Sequence, residues 1–214
     1  MLLAKVRRKQ SRAFNPKPTT KRTHPMTLSP TENSAATIAG AQREMRFAYY
    51  GGAPGMFTSA TVWLIAGIVS MVVSPERAVW ALFIGGMFIH PVSSLLTKAI
   101  GRSGKHSASN PFGSLALATT FWMILMMPLS YGVSRLHIEW FFPAMLFIIG
   151  GRYLTFSTIF GARTYWFCGA TLALAGLALG RASASPAFGA FSGAAIEAVF
   201  ALTIYVTTRR EIAA

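Results

Sequence analysis

The chain has no aspartate, and only six glutamates stand against twenty lysines and arginines over 214 residues. Charged residues make up 12% of the sequence, about half of what a soluble globular domain carries. So few acids provide no paired carboxylates within one apolar segment, which removes two-carboxylate acid–base chemistry and aspartyl intramembrane proteolysis. One cysteine, Cys168, excludes an intramolecular disulfide and a cysteine-based metal cluster, and its apolar neighbours make it a small buried hydrophobe. No phosphate-binding loop, HExxH, GxSxG or CxxC occurs, and no segment has the arginine repeat of a voltage sensor. The expectation is a protein that is not an enzyme and holds no cofactor and no metal.

What the chain does have is apolar length. Hydrophobic residues make up 53% of it, and they fall into runs near the roughly 20 residues that a spanning helix needs. The runs predict an all-α, polytopic transmembrane helix bundle with six spans, at about 52–73, 78–96, 113–133, 140–160, 165–180 and 187–206. The connecting segments are short and polar, and Asn110-Pro111 favours a turn before the third helix starts. The bundle domain is then 47–208, followed by a short C-terminus over 209–214.

Half of the basic residues precede residue 47, in a stretch with almost no hydrophobic periodicity. Residues 1–46 are therefore predicted to be a disordered basic tail. Charge gathered in a tail suits contact with anionic lipid, where each basic residue contributes about 1 kcal/mol, and argues against a nucleic-acid partner. Met26 and Met45 are alternative starts that would remove most of this tail.

Basic loop residues set the orientation. With the N-terminus inside, the cytoplasmic side receives the tail, Lys98, Arg102, Lys105, Arg163, Arg209 and Arg210, and the outside only Arg77, Arg135 and Arg181. The expectation is N-in and C-in, in the inner (plasma) membrane of a bacterium-like cell. A weak internal echo pairs Thr61-x-Trp63 and Ile84-Gly85-Gly86 with Thr120-x-Trp122 and Ile149-Gly150-Gly151, as in a repeated two-helix hairpin.

Three ionisable residues fall inside predicted spans: His90, Arg152 and Glu197. At 1.5 Å per residue they lie within about 5 Å of one depth, so they are the candidate midplane polar cluster. In that cluster Arg152 pairs with Glu197 and His90 titrates nearby. Each also has a structural alternative. Arg152 can snorkel to the headgroups, His90 can bond a carbonyl freed by Pro91, and Glu197 can be a neutral acid in a rigid interface. Gly189, Gly193 and Glu197 recur every four residues, and Gly176 and Gly180 form a second small-xxx-small pair. These four glycines are the candidate helix-packing positions, and such faces also permit a homo-oligomer. The hydroxyls Ser93, Ser94 and Thr97, with Thr155, Ser157 and Thr158, either bond back to their own helices or line a polar path.

Residues 60–205 resemble a family of small, uncharacterised bacterial multispanning membrane proteins known only as a domain of unknown function. The resemblance is carried by Asn110-Pro111-Phe112-x-x-Leu115, Gly150-Gly151-Arg152-Tyr153 and Ile196-Glu197-Ala198-Val199-Phe200. It implies an integral membrane protein and assigns no activity. Two functions remain open. One is a small-solute or proton-linked permease built on the midplane cluster; the other is a non-transporting membrane scaffold or partner subunit.

Overall fold

The computed structural model describes residues 30–213, with side chains from residue 37, and among the described residues every regular element is helical. The helices are α1 (Pro30–Tyr49), α2 (Ala53–Val72), α3 (Pro75–Ala99), α4 (Pro111–Leu136), α5 (Phe141–Phe160), α6 (Thr164–Arg181) and α7 (Pro186–Ala213). Single 3-10 turns precede α2 at Tyr50–Gly52 and α5 at Ile138–Trp140. Helix is the structure expected where no water can satisfy backbone polar groups, because it closes those bonds within the segment.

Local signals set the ends. Ser74 caps α3 by accepting from the Arg77 N–H at 3.3 Å, and Asn110 caps α4 by accepting from the Phe112 N–H at 3.0 Å, each followed by a proline at the first helical position. Between α1 and α2 the backbone turns at Tyr50, Gly51 and Gly52, whose φ values are 51°, 63° and 86°. Two consecutive glycines make that turn accessible.

Five helical stretches are long and apolar enough to cross a membrane: Thr37–Val72, Pro75–Ala99, Pro111–Leu136, Ile138–Phe160 and Pro186–Ala213; the apolar part of the first is α2, and its α1 part is polar and is not counted within the span. The predicted fifth span, 165–180, is helical as α6 but is not among them, because Gly, Thr and the closing Arg181 dilute its apolar content. The packed centre is made by α2, α5, α6 and α7, with α3 lying on α2 and α4 on α5.

Two domain expectations change. Residues 1–29 lie outside the described residues, but from Pro30 the predicted tail is helix α1. Long-range bonds order it: Gln42 Nε2 donates to the Thr158 carbonyl at 2.7 Å, Arg46 Nη1 donates to the Phe160 carbonyl, and Asn110 Nδ2 donates to the Ala41 carbonyl at 3.0 Å. No periodicity in the sequence announces such tertiary partners. At the other end α7 runs on to Ala213, through the predicted C-terminal segment, and Glu211 there pairs with Arg46 at 3.5 Å.

Candidate functional site

The site grows from α7. Glycines one and two turns before Glu197 let neighbouring rings approach the helix axis. A Cβ at Gly193 would lie 2.6 Å from the Trp63 ring of α2, and one at Gly189 would lie 2.9 Å from the Phe142 Cβ of α5. The helices therefore close around the next residue of that face, and Glu197 has no exposed surface. It lies eleven residues into α7, about 16 Å from the start of the helix at 1.5 Å per residue.

Tyr153 of α5 donates its hydroxyl to Glu197 Oε1 at 3.0 Å, and the Ser59 hydroxyl of α2 interacts with the same carboxyl. Among the described residues Glu197 Oε2 has no hydrogen-bond partner. A buried polar atom left unpaired is costly, and in native folds it is accounted for by a bound water or ion, by strain or by a functional role. The Tyr153 ring packs against Phe156 and Tyr165 at centroid distances of 5.7 and 5.9 Å, and Tyr165 stacks on Phe160 at 5.3 Å. The Tyr165 hydroxyl ties this column to the α1–α2 turn by donating to the Gly51 carbonyl at 2.6 Å.

Arg152 precedes Tyr153, and a helix turns about 100° per residue, so the two side chains face different neighbours. Arg152 Nη2 donates to Thr120 Oγ1 of α4 at 3.1 Å, its Nη1 lies 3.7 Å from Met123 Sδ, and the guanidinium sits 4.9 Å from the Phe156 ring centroid. Among the described residues its Nε has no partner and it makes no ion pair. The expected three-residue cluster is therefore divided. Glu197 and Arg152 are electrostatic neighbours without direct contact, while His90 stands exposed on α3 and offers only its carbonyl, to the Ser93 hydroxyl at 2.9 Å.

Gly176 and Gly180 face the start of α5, where a Cβ would lie 2.8 Å from the Pro143 carbonyl and 3.3 Å from the Trp140 ring. A tighter approach was not anticipated. Gly150 of α5 and Gly169 of α6 meet backbone to backbone, a Cβ on Gly169 falling 2.5 Å from the Gly150 carbonyl. Ser93, Thr97 and Ser157 donate to carbonyls of their own helices at 2.6–2.9 Å.

Tyr153 and Ser59 are the site residues that sequence reasoning missed. A signal existed for Ser59: with Trp63 and Gly67 it recurs every four residues, so all three share one face of α2. For Tyr153 it was only a polar handle on an apolar ring in mid-span.

Outside the spans, a second polar assembly docks α1 on the α3–α4 loop. Glu44 accepts from the Ser107 N–H at 2.6 Å and from Asn110 Nδ2 at 2.7 Å, and Tyr49 Oη lies 2.8 Å from His106 Nδ1. The Ser107 N–H first, then the Asn110 amide, hold the Glu44 carboxyl below its ordinary value. Among the described residues no group of three metal-ligating side chains is gathered.

Residues 38–207 match the model of a family described as a family of unknown function (DUF7010). Comparison with curated proteins and with solved structures finds no match.

Proposed function

Since the chain belongs to that family of unknown function, we propose, from the site itself, that it is a proton-linked permease for small solutes with Glu197 as its proton-carrying group. The observation that carries this reading is the carboxyl buried in mid-helix with Oε2 unpaired. An intramembrane acid is costly, and proton relays are a principal use for one. Protonation by bulk water would remove its charge and convert Oε2 into a donor, so the contacts with Tyr153 and Ser59 would differ between the two states.

The same reading has α6 as a sixth span. Its 18 residues are about 27 Å long at 1.5 Å per residue, close to the bilayer core. It also has both termini in the cytoplasm of a cell bounded by an inner (plasma) membrane. Support comes from charge: the end where α1 docks carries Arg43, Arg46, Lys98, Arg102, Lys105, Arg163, Arg209 and Arg210, and the opposite end Arg77, Arg135 and Arg181.

The test uses liposomes loaded with a pH-sensitive dye and an inward proton gradient, with small solutes added singly. A solute should acidify the lumen with wild-type protein and fail to do so with Glu197→Gln of unchanged melting behaviour. Equal acidification by the variant, or none with any solute, overturns the reading. A second reading, the scaffold or partner subunit, is favoured by one observation: the Tyr153–Glu197 bond ties α5 to α7, a packing role. In that case Glu197→Gln melts earlier and no solute acts.

A further inference from the structure

Arg152 is the charged group that the proton site leaves unexplained. An arginine stays ionised under all ordinary conditions, and its contacts are one hydroxyl, one thioether and one aromatic ring. None of these carries a formal negative charge. Its Nε is buried, and among the described residues it is unpartnered and no carboxylate reaches it. A planar fork of N–H donors in this condition matches the two oxygens of a carboxylate or a similar small oxyanion. Met123 and Phe156 beside it suit a solute with a small apolar body. We propose that Arg152 binds a small organic monoanion, and that its occupancy is coupled one-to-one to a proton on Glu197.

The coupling follows from charge balance and rests on the reading of Glu197 as the proton carrier. With both sites empty, the guanidinium and the carboxylate sum to zero. With both filled, a neutral acid and a guanidinium–anion pair again sum to zero. Either half-filled state leaves one net charge among apolar helices, the condition a membrane interior disfavours most. Proton and anion therefore load together and leave together, and the exchange is electroneutral. Apart from Arg152 itself, the groups facing Glu197 among the described residues carry no formal charge. From α5 come Tyr153 and Arg152, from α6 Cys168, and from α2 only the Ser59 hydroxyl, while Tyr165 of α6 acts on Tyr153 and Arg152.

Calorimetry on the detergent-purified full chain tests this, with acetate, benzoate and methanesulfonate as probes and acetamide as the neutral control. Methanesulfonate stays ionised at every working pH, so any proton taken up belongs to the protein. Titrations in two buffers of different ionisation heat count that proton. The wild type should take up one proton per anion and bind at least about tenfold more tightly near pH 5.5 than near pH 7.5. Glu197→Gln, a fixed neutral side chain, should bind the same anion with no pH dependence and no proton uptake. Arg152→Gln should not bind, and Arg152→Lys should bind more weakly but still with one proton.

If Arg152→Gln does not fold, Arg152→Lys and Thr120→Val take its place, and unchanged affinity in both overturns the anion site. Phosphatidylglycerol is the other source of an oxyanion, and stabilisation by that lipid with no response to the three probes overturns the solute assignment. Anion binding without proton uptake overturns the coupling and the Glu197 reading together. Failure of all three probes, while another solute still acidifies the liposomes, overturns only the present inference.

Discussion

Helices α3 and α5 carry the same Ile-Gly-Gly triplet, but its close-packed first glycine meets backbone in α5 and a movable side chain in α3. In α5, Gly150 lies against the backbone of α6, where a Cβ would fall 2.7 Å from the Gly169 carbonyl. In α3 the matching Gly85 has the Val62 side chain nearest, 2.6 Å from where a Cβ would lie, and the second glycine of each triplet, Gly86 and Gly151, has nothing within 4 Å. The echoed tryptophans differ more: Trp63 is 1% exposed and Trp122 55%. Apolar character is common to both helices, so it cannot be what sorts them. In a bilayer, lipid chains are as apolar as leucine, and helices associate where small residues allow backbones to close and a polar group finds its partner. Helices α5 and α6 have a matching glycine on each side of the contact, whereas α3 and α4 show large side chains such as Met87, Phe88, Phe121 and Leu125 to the outside.

The contrast is broken most severely by giving α5–α6 a side chain it cannot hold. Gly169→Leu is expected to cost about 3 kcal/mol or more by overpacking, and Gly86→Leu less than about 0.5 kcal/mol. Reversible unfolding in mixed detergent micelles compares the two, and equal losses would show that the outward face of α3 is packed as tightly as the α5–α6 contact. The next effect belongs to the buried hydrogen bond. Tyr153→Phe removes the donor from Glu197 Oε1 and should cost about 1 kcal/mol. Tyr131→Phe in α4 keeps the ring contact with Trp80 and should cost almost nothing.

The smallest effect lies outside the spans, in the docking of α1. The Glu44 carboxyl is held below its ordinary value by the Ser107 N–H and the Asn110 amide. A depressed carboxyl stabilises the docked state fully above the ordinary carboxylate pKa, and that contribution is lost as pH falls through the lower folded-state value. Hydrogen-exchange protection over residues 37–49, taken relative to the intrinsic rate at each pH, should therefore be high at neutral pH and fall only in the acid range. Glu44→Gln should lose that protection at neutral pH already. If wild type and variant exchange alike at neutral pH, the carboxylate does not hold α1.

The helices were largely legible in the linear order of residues. Apolar runs of spanning length, closed by Ser74-Pro75 and Asn110-Pro111, gave α2 to α5 and the start of α7 to within a few residues, because span length and caps are local properties. Helix α1 was not legible. Its partners at Ser107, Thr158, Phe160 and Glu211 are distant in sequence, and only folding brings them near.

The site divides along the same line. Composition alone determined that Glu197 and Arg152 are costly charges within apolar helices, since that cost depends on residue type and surrounding hydropathy. Which way they point was decided by the tertiary structure. One residue of helical rotation sends Arg152 to Thr120 and Tyr153 to Glu197, and the exposed face of α3 leaves His90 outside. Facing direction depends on how whole helices rotate against one another. That rotation is set by contacts such as Gly150 on Gly169 and Gly193 on Trp63, which no single segment contains.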